Sequence, residues 1–119
     1  MDDIVILSGA RTAIGTFGGA LAAVPPITLG ATAAKAALER GGVEGEQIGH
    51  VAFGHVINTE PKDMYLSRVS AMEAGVPDTT PATNVDRPCG SCAQASGSVI
   101  QSLALGDADY GLPGCAYRM

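Results

Sequence analysis

The four residues Cys89-Gly90-Ser91-Cys92 put two sulfurs three positions apart, directly after Arg87-Pro88 and ahead of small and apolar side chains. Proline suits the first turn of a helix, so the sequence predicts a helix starting at about Cys89 or Gly90 and running to Leu105, stopped by Gly106-Asp107. A cysteine in such a first turn faces unpaired backbone N–H groups and the positive end of the helix dipole, both of which favour thiolate over thiol. Cys89 is therefore a candidate nucleophile. Its own N–H can point at an oxygen bound beside the sulfur, and Gly90 lets a substrate approach the main chain, so Cys89 and Gly90 together offer backbone support for an oxyanion. Acyl transfer through a thioester is one chemistry this arrangement would suit.

Other chemistries compete for the same residues. A CxxC at a helix start after a strand is how thioredoxin-like dithiols are built, which makes a Cys89–Cys92 redox pair the main rival, although Arg87-Pro88 stands where such units carry an aromatic. The papain-like Cys-Gly-Ser-Cys signature fails at Ala93 and has no His or Asn downstream. Zinc needs further ligands, and only Cys115 and the distant His50 and His55 remain, so no metal site is expected. The cysteines are three, an odd number, all in the last third of the chain. That pattern predicts no disulfide framework, and free thiols in a reducing compartment are expected, with Cys92 and Cys115 as small buried residues. His50 and His55 read as hydrogen-bonded structural side chains rather than general bases. Arg68, with Tyr65 and Met64 on the turn before it, reads as packing or pairing with an acid, though an arginine can also order the wall of a site.

The elements that must position Cys89 follow from local pattern. Ile4-Val5-Ile6-Leu7 is an apolar, β-branched run that predicts a strand buried on both faces. The glycine-rich stretch 11–19 lacks the Gly-Lys-Ser/Thr ending of a phosphate loop and reads as a structural turn anchored by Phe17. Thr28 is a plausible N-cap for a helix from Leu29 to Arg40, ended by Gly41-Gly42. Residues 51–57 make a second strand, and Pro61 opens a helix to about Ala74. Residues 81–86 are a weaker strand. Asp109 to Gly114 falls where another strand is due, yet Gly111 and Pro113 are poor central-strand residues, so that element reads as damaged or cut short. Strands alternating with helices predict a mostly parallel sheet.

The whole chain narrows the function classes. Its 119 residues are expected to form a single domain, and seven basic against twelve acidic residues give a charge of −5. With no Lys/Arg cluster and few aromatics, nucleic acid is not expected as a partner. There is no run of membrane-spanning length and no basic leader, so a cytoplasmic protein with no membrane association is expected.

Four blocks then carry a family. Residues Ser8 to Gly19, Phe53 to Ile57, Asp86 to Ser91 and Leu105 to Asp109 resemble, in order and spacing, the N-terminal segment of a thiolase, and Thr59 to Arg68 is most similar to bacterial β-ketothiolases. The resemblance implies the N-terminal part of a layered αβαβα fold with a mostly parallel mixed sheet, an acyl-CoA (coenzyme A thioester) substrate, no other cofactor, and homo-oligomeric assembly as dimers or tetramers. It makes Cys89 the thiolate that takes an acyl group in Claisen condensation or thiolytic cleavage. Pro88, Cys92 and Asp86 depart from the family's usual residues there, as does the stretch after Asp109. In thiolases the activating histidine, a water-positioning asparagine and a second cysteine lie in the C-terminal half, and none matches within residues 1–119. The expectation is thus a partial thiolase domain, 1–119, with its catalytic C-terminal half absent, inactive or poor by itself. A CxxC thiol-disulfide module and a non-catalytic assembly fragment are the alternatives.

Overall fold

A central strand of alternating apolar residues organises the molecule. In the computed structural model, which describes residues 2–118, β1 spans Ile48–Gly54, and Val51, Ala52 and Phe53 within it are almost fully buried. Strand side chains alternate between faces. Val51 and Phe53 accordingly join one core with Ile27, Leu38, Leu66 and Leu112, while Ala52 joins a second, smaller core with Ala95 and Val99. β2 (Ala82–Val85) and β3 (Tyr110–Cys115) flank β1 in the order β2-β1-β3, both parallel to it. Helices α1 (Pro26–Gly41) and α2 (Leu66–Glu73) cover the first face and α3 (Ser91–Ala104) the second. The result is a three-layer α/β arrangement, as the sequence pattern requires.

Several elements differ from the sequence reading. Ile4 to Leu7 form no strand; Ile6 is 94% exposed, and the segment is tied to α1 by Ser8 Oγ donating to the Ala37 carbonyl and Arg40 donating to the Gly9 carbonyl. A β-branched run becomes a strand only where a neighbouring strand completes its ladder, and these residues pair with none. Phe17 anchors nothing, being 86% exposed. α1 begins at Pro26 after Pro25, not after a Thr28 cap, because proline at the first position needs no hydrogen-bonded N–H. The Pro61 segment opens as a 3₁₀ turn (Pro61–Tyr65) and becomes α-helical only at Leu66.

β3 is whole rather than damaged. Among the described residues it is an edge strand paired with β1 alone, so Pro113 can sit in it with its missing N–H on the unpaired side. Gly111 is required by packing, since a Cβ there would collide with the Val99 side chain of α3.

Candidate functional site

The carboxyl ends of the three strands converge on the start of α3, and Cys89 stands there. In open parallel sheets this edge is where ligands bind. A short 3₁₀ turn, Pro88–Gly90, precedes α3, so Cys89 lies just ahead of the helix rather than inside its first α turn. It is exposed and its thiol is free.

Local hydrogen bonds hold that turn. Ser91 Oγ accepts from the Arg87 N–H at 2.8 Å and donates to the Pro88 carbonyl at 2.8 Å, with the Ser91 side chain fully buried. One hydroxyl thus closes the turn that carries Cys89, from the residue two after it back to the two residues before it. The Gly90 N–H donates to the Arg87 carbonyl at 2.8 Å, so it is engaged in the turn, whereas the space where a Gly90 Cβ would project meets only Arg87 carbons at 3.7 and 3.8 Å. Arg87 reaches along the helix to Gln94 Oε1 at 2.8 Å, laying its charge beside α3. Beneath the turn, Gly54 ends β1 against the helix, for a Cβ there would stand 2.7 Å from the Ser91 carbonyl carbon and 2.9 Å from the Cys92 nitrogen. Only glycine allows this approach.

The other cysteines do not behave as the sequence suggests. Cys92 and Cys115 form a disulfide across 23 positions, with Cα atoms 5.4 Å apart, joining the first turn of α3 to the last residue of β3. Neither is a buried free thiol, and Cys92 is not the partner of Cys89. Spacing along the chain is silent on this bond because it depends on where the fold puts the end of β3.

A buried polar cluster supports the same edge. His55, directly after β1, places Nδ1 2.7 Å from the Ala116 carbonyl; a carbonyl can only accept, so this nitrogen carries the proton. Its backbone N–H donates to the Val85 carbonyl at the end of β2. His55 therefore ties the ends of all three strands together, which is the structural role its type and place suggest. Its Nε2 lies 3.8 Å from Asp63 Oδ2, and neither Nε2 nor Asp63 Oδ1 has a hydrogen-bond partner among the described residues. Burial pushes the Asp63 carboxyl up, but hydrogen bonds from the Thr59 hydroxyl, the Thr59 N–H and the Glu60 N–H, with His55 nearby, prevail and hold it below the ordinary carboxylate value.

Arg68 donates to the carbonyls of Asp78 and Thr80 and so braces the loop leading into β2, pairing with backbone rather than with an acid. Asn84 of β2 accepts from the Ser67 N–H and donates to the Met64 carbonyl, fixing β2 to the start of α2. His50, half-buried in β1, has no part in the cluster around Cys89. Ser91 and Asp63 are the two side chains that sequence reasoning missed. For Ser91 the available signal was its spacing, four residues after Arg87 and three after Pro88, the pattern of a hydroxyl bonding back to a turn.

No helix among the described residues is long and apolar enough to cross a membrane. Comparison with known proteins places this geometry in context. Residues 4–119 match the family model described as thiolase, N-terminal domain. The β-ketothiolase BktB of Cupriavidus necator is 51% identical over 98% of this chain, and the cytosolic acetyl-CoA acetyltransferase of Rattus norvegicus is 42% identical over 89% of it. The alignments take in 30% and 26% of those two proteins, so the chain spans less than a third of their length. Human mitochondrial 3-ketoacyl-CoA thiolase in complex with CoA superposes with a TM-score of 0.83 and 33% identity, over 86% of this chain and 26% of that one.

Proposed function

Because the chain belongs to the thiolase family, with the α/β fold of that family's N-terminal domain, we propose that it supplies the acyl-accepting nucleophile of an acyl-CoA acyltransferase. The observation that carries this is the placement of Cys89: free, exposed, at the carboxyl edge of a parallel sheet, on a turn held by Ser91 and ahead of a 14-residue helix. The Cys89 thiolate attacks the thioester carbonyl of an acyl-CoA, the carbonyl oxygen becomes an oxyanion, and coenzyme A leaves as its thiolate, giving an S-acyl Cys89. The Cys89 N–H faces the oxyanion in this reading. The N–H of Gly90 does not, since it is committed to Arg87; Gly90 serves instead by leaving the approach to the main chain open.

The substrate class is supported by the relatives, which are named acetyl-CoA acetyltransferase and β-ketothiolase. Completion of turnover falls to a histidine base and a second cysteine outside these 119 residues, as the family resemblance implies. A coenzyme A thioester as sole small-molecule requirement, a cytoplasmic location and homo-oligomeric assembly belong to the same proposal; the cytosolic rat relative supports the second of these.

Protection from alkylation tests it. Acetyl-CoA should slow iodoacetamide labelling of Cys89 in a saturable way, while desulfo-CoA, which carries no thioester, should leave no acyl group behind. Labelling indifferent to acetyl-CoA at every concentration would count against the assignment.

A further inference from the structure

The Cys92–Cys115 disulfide lies one turn from the proposed nucleophile and outside the chemistry assigned to it. It bridges two elements that meet at the site: Cys92 in the first turn of α3, directly against Gly54, and Cys115 at the end of β3. Both cysteines are half-buried rather than sealed in the core. The Tyr117 hydroxyl is 3.5 Å from Cys92 Sγ, placed to donate a hydrogen bond to that sulfur. Tyr117 in turn stacks on the ring of His55, with centroids 6.1 Å apart.

Geometry gives the bond two consequences. On the helix side, Cys92 directly follows Ser91, whose hydroxyl holds the turn that presents Cys89, so a restraint on Cys92 bears on that turn. On the strand side, the bond holds residues 115–117, whose Ala116 carbonyl receives the His55 hydrogen bond. Opening the disulfide releases both at once.

We propose that Cys92–Cys115 is a reversible redox site, opened by a dithiol reductant, that sets the reactivity of Cys89. In the first step a reductant thiolate attacks Cys115 Sγ, and Cys92 leaves as a thiolate that accepts a hydrogen bond from Tyr117. The second reductant thiol then displaces Cys115 from the mixed disulfide. The balance is one dithiol oxidised to its disulfide and one protein disulfide reduced to two thiols, two electrons and two protons in all. The redox half stands by itself, and only its consequence for acyl transfer rests on the proposed role of Cys89.

The experiment counts thiols on the full chain, purified without reductant, by iodoacetamide labelling and intact mass. The native protein should take a single label, at Cys89, and all three cysteines should label after treatment with reduced dithiothreitol. Oxidised dithiothreitol should restore the single-label state. With the clamp open, Cys89 itself should label more slowly by about threefold, because a loosened turn spends less time in the presenting geometry. The C92S/C115S variant should show the slower rate and lose all response to dithiothreitol; if it does not fold, the wild-type titration decides alone. Three labels on the native protein, or a Cys89 rate that is the same in both redox states, would overturn the proposal. A working redox titration without acetylation of Cys89 would instead overturn the reading of the nucleophile and leave the redox site standing.

Discussion

Ser91→Ala removes one oxygen and is expected to loosen the turn on which Cys89 stands. The hydroxyl makes two hydrogen bonds of 2.8 Å, one accepted from the Arg87 N–H and one donated to the Pro88 carbonyl, and its side chain has no exposure to solvent. Removing a buried hydrogen-bonding partner costs about 1–3 kcal/mol for each group left unpaired. Arg87 and Pro88 are themselves exposed, so water satisfies the freed groups in part and the lower end of the range applies. The loss is therefore about 2 kcal/mol, which for a domain of this size lowers the melting temperature by roughly 8 °C. Thermal and urea unfolding of the full chain measure it, and iodoacetamide labelling reports whether Cys89 has moved. Ser96→Ala is the control: its hydroxyl makes one 3.4 Å bond within the same helix, so its effect should stay within about 0.5 kcal/mol. If Ser91→Ala were as harmless as Ser96→Ala in both stability and Cys89 labelling, the clasp would not be what holds the turn.

Further outcomes follow from the same edge of the sheet. Gly54→Ala drives a Cβ into the backbone of Ser91 and Cys92, which cannot swing aside, so it should cost about 2–3 kcal/mol and slow Cys89 labelling, both measurable on one preparation. Asp63→Ala leaves the Thr59 hydroxyl and two N–H groups without their acceptor and should destabilise by about 3 kcal/mol in urea unfolding. The pH dependence has a definite sign: the Asp63 value in the folded state lies below its ordinary 3.8, so the unfolded chain binds that proton first as pH falls. Its contribution is complete above about pH 5 and is lost progressively as pH drops through the folded value, so Asp63→Asn should flatten the acid limb of the stability profile relative to wild type.

The sheet and its helices were legible in sequence because local pattern decides them. The unbroken apolar run through Val51, Ala52 and Phe53 marks a strand with two covered faces, and Pro88 with the small residues after it marks the helix, although α3 opens at Ser91 and leaves Cys89 on the 3₁₀ turn ahead of it rather than in its first turn. What could not be read depends on partners distant along the chain. Ile4 to Leu7 have strand composition, but composition supplies no neighbouring strand. Gly111 and Pro113 argue against a central strand and say nothing against an edge strand crossed by α3. The Cys92–Cys115 bond was hidden behind a more conspicuous CxxC, whose sulfurs are near in sequence but bonded elsewhere. The Asp63 cluster was invisible because a single acid in a turn carries no spacing signal, whereas its burial against His55 is a property of the assembled edge.

Incubating the full chain with acetyl-CoA, followed by intact mass and peptide mapping, shows whether Cys89 accepts an acyl group. One acetyl group is expected on Cys89 of the wild-type protein and none on Cys89→Ala. A folded wild-type chain that stays unmodified, or acetylation that persists in Cys89→Ala, would contradict it.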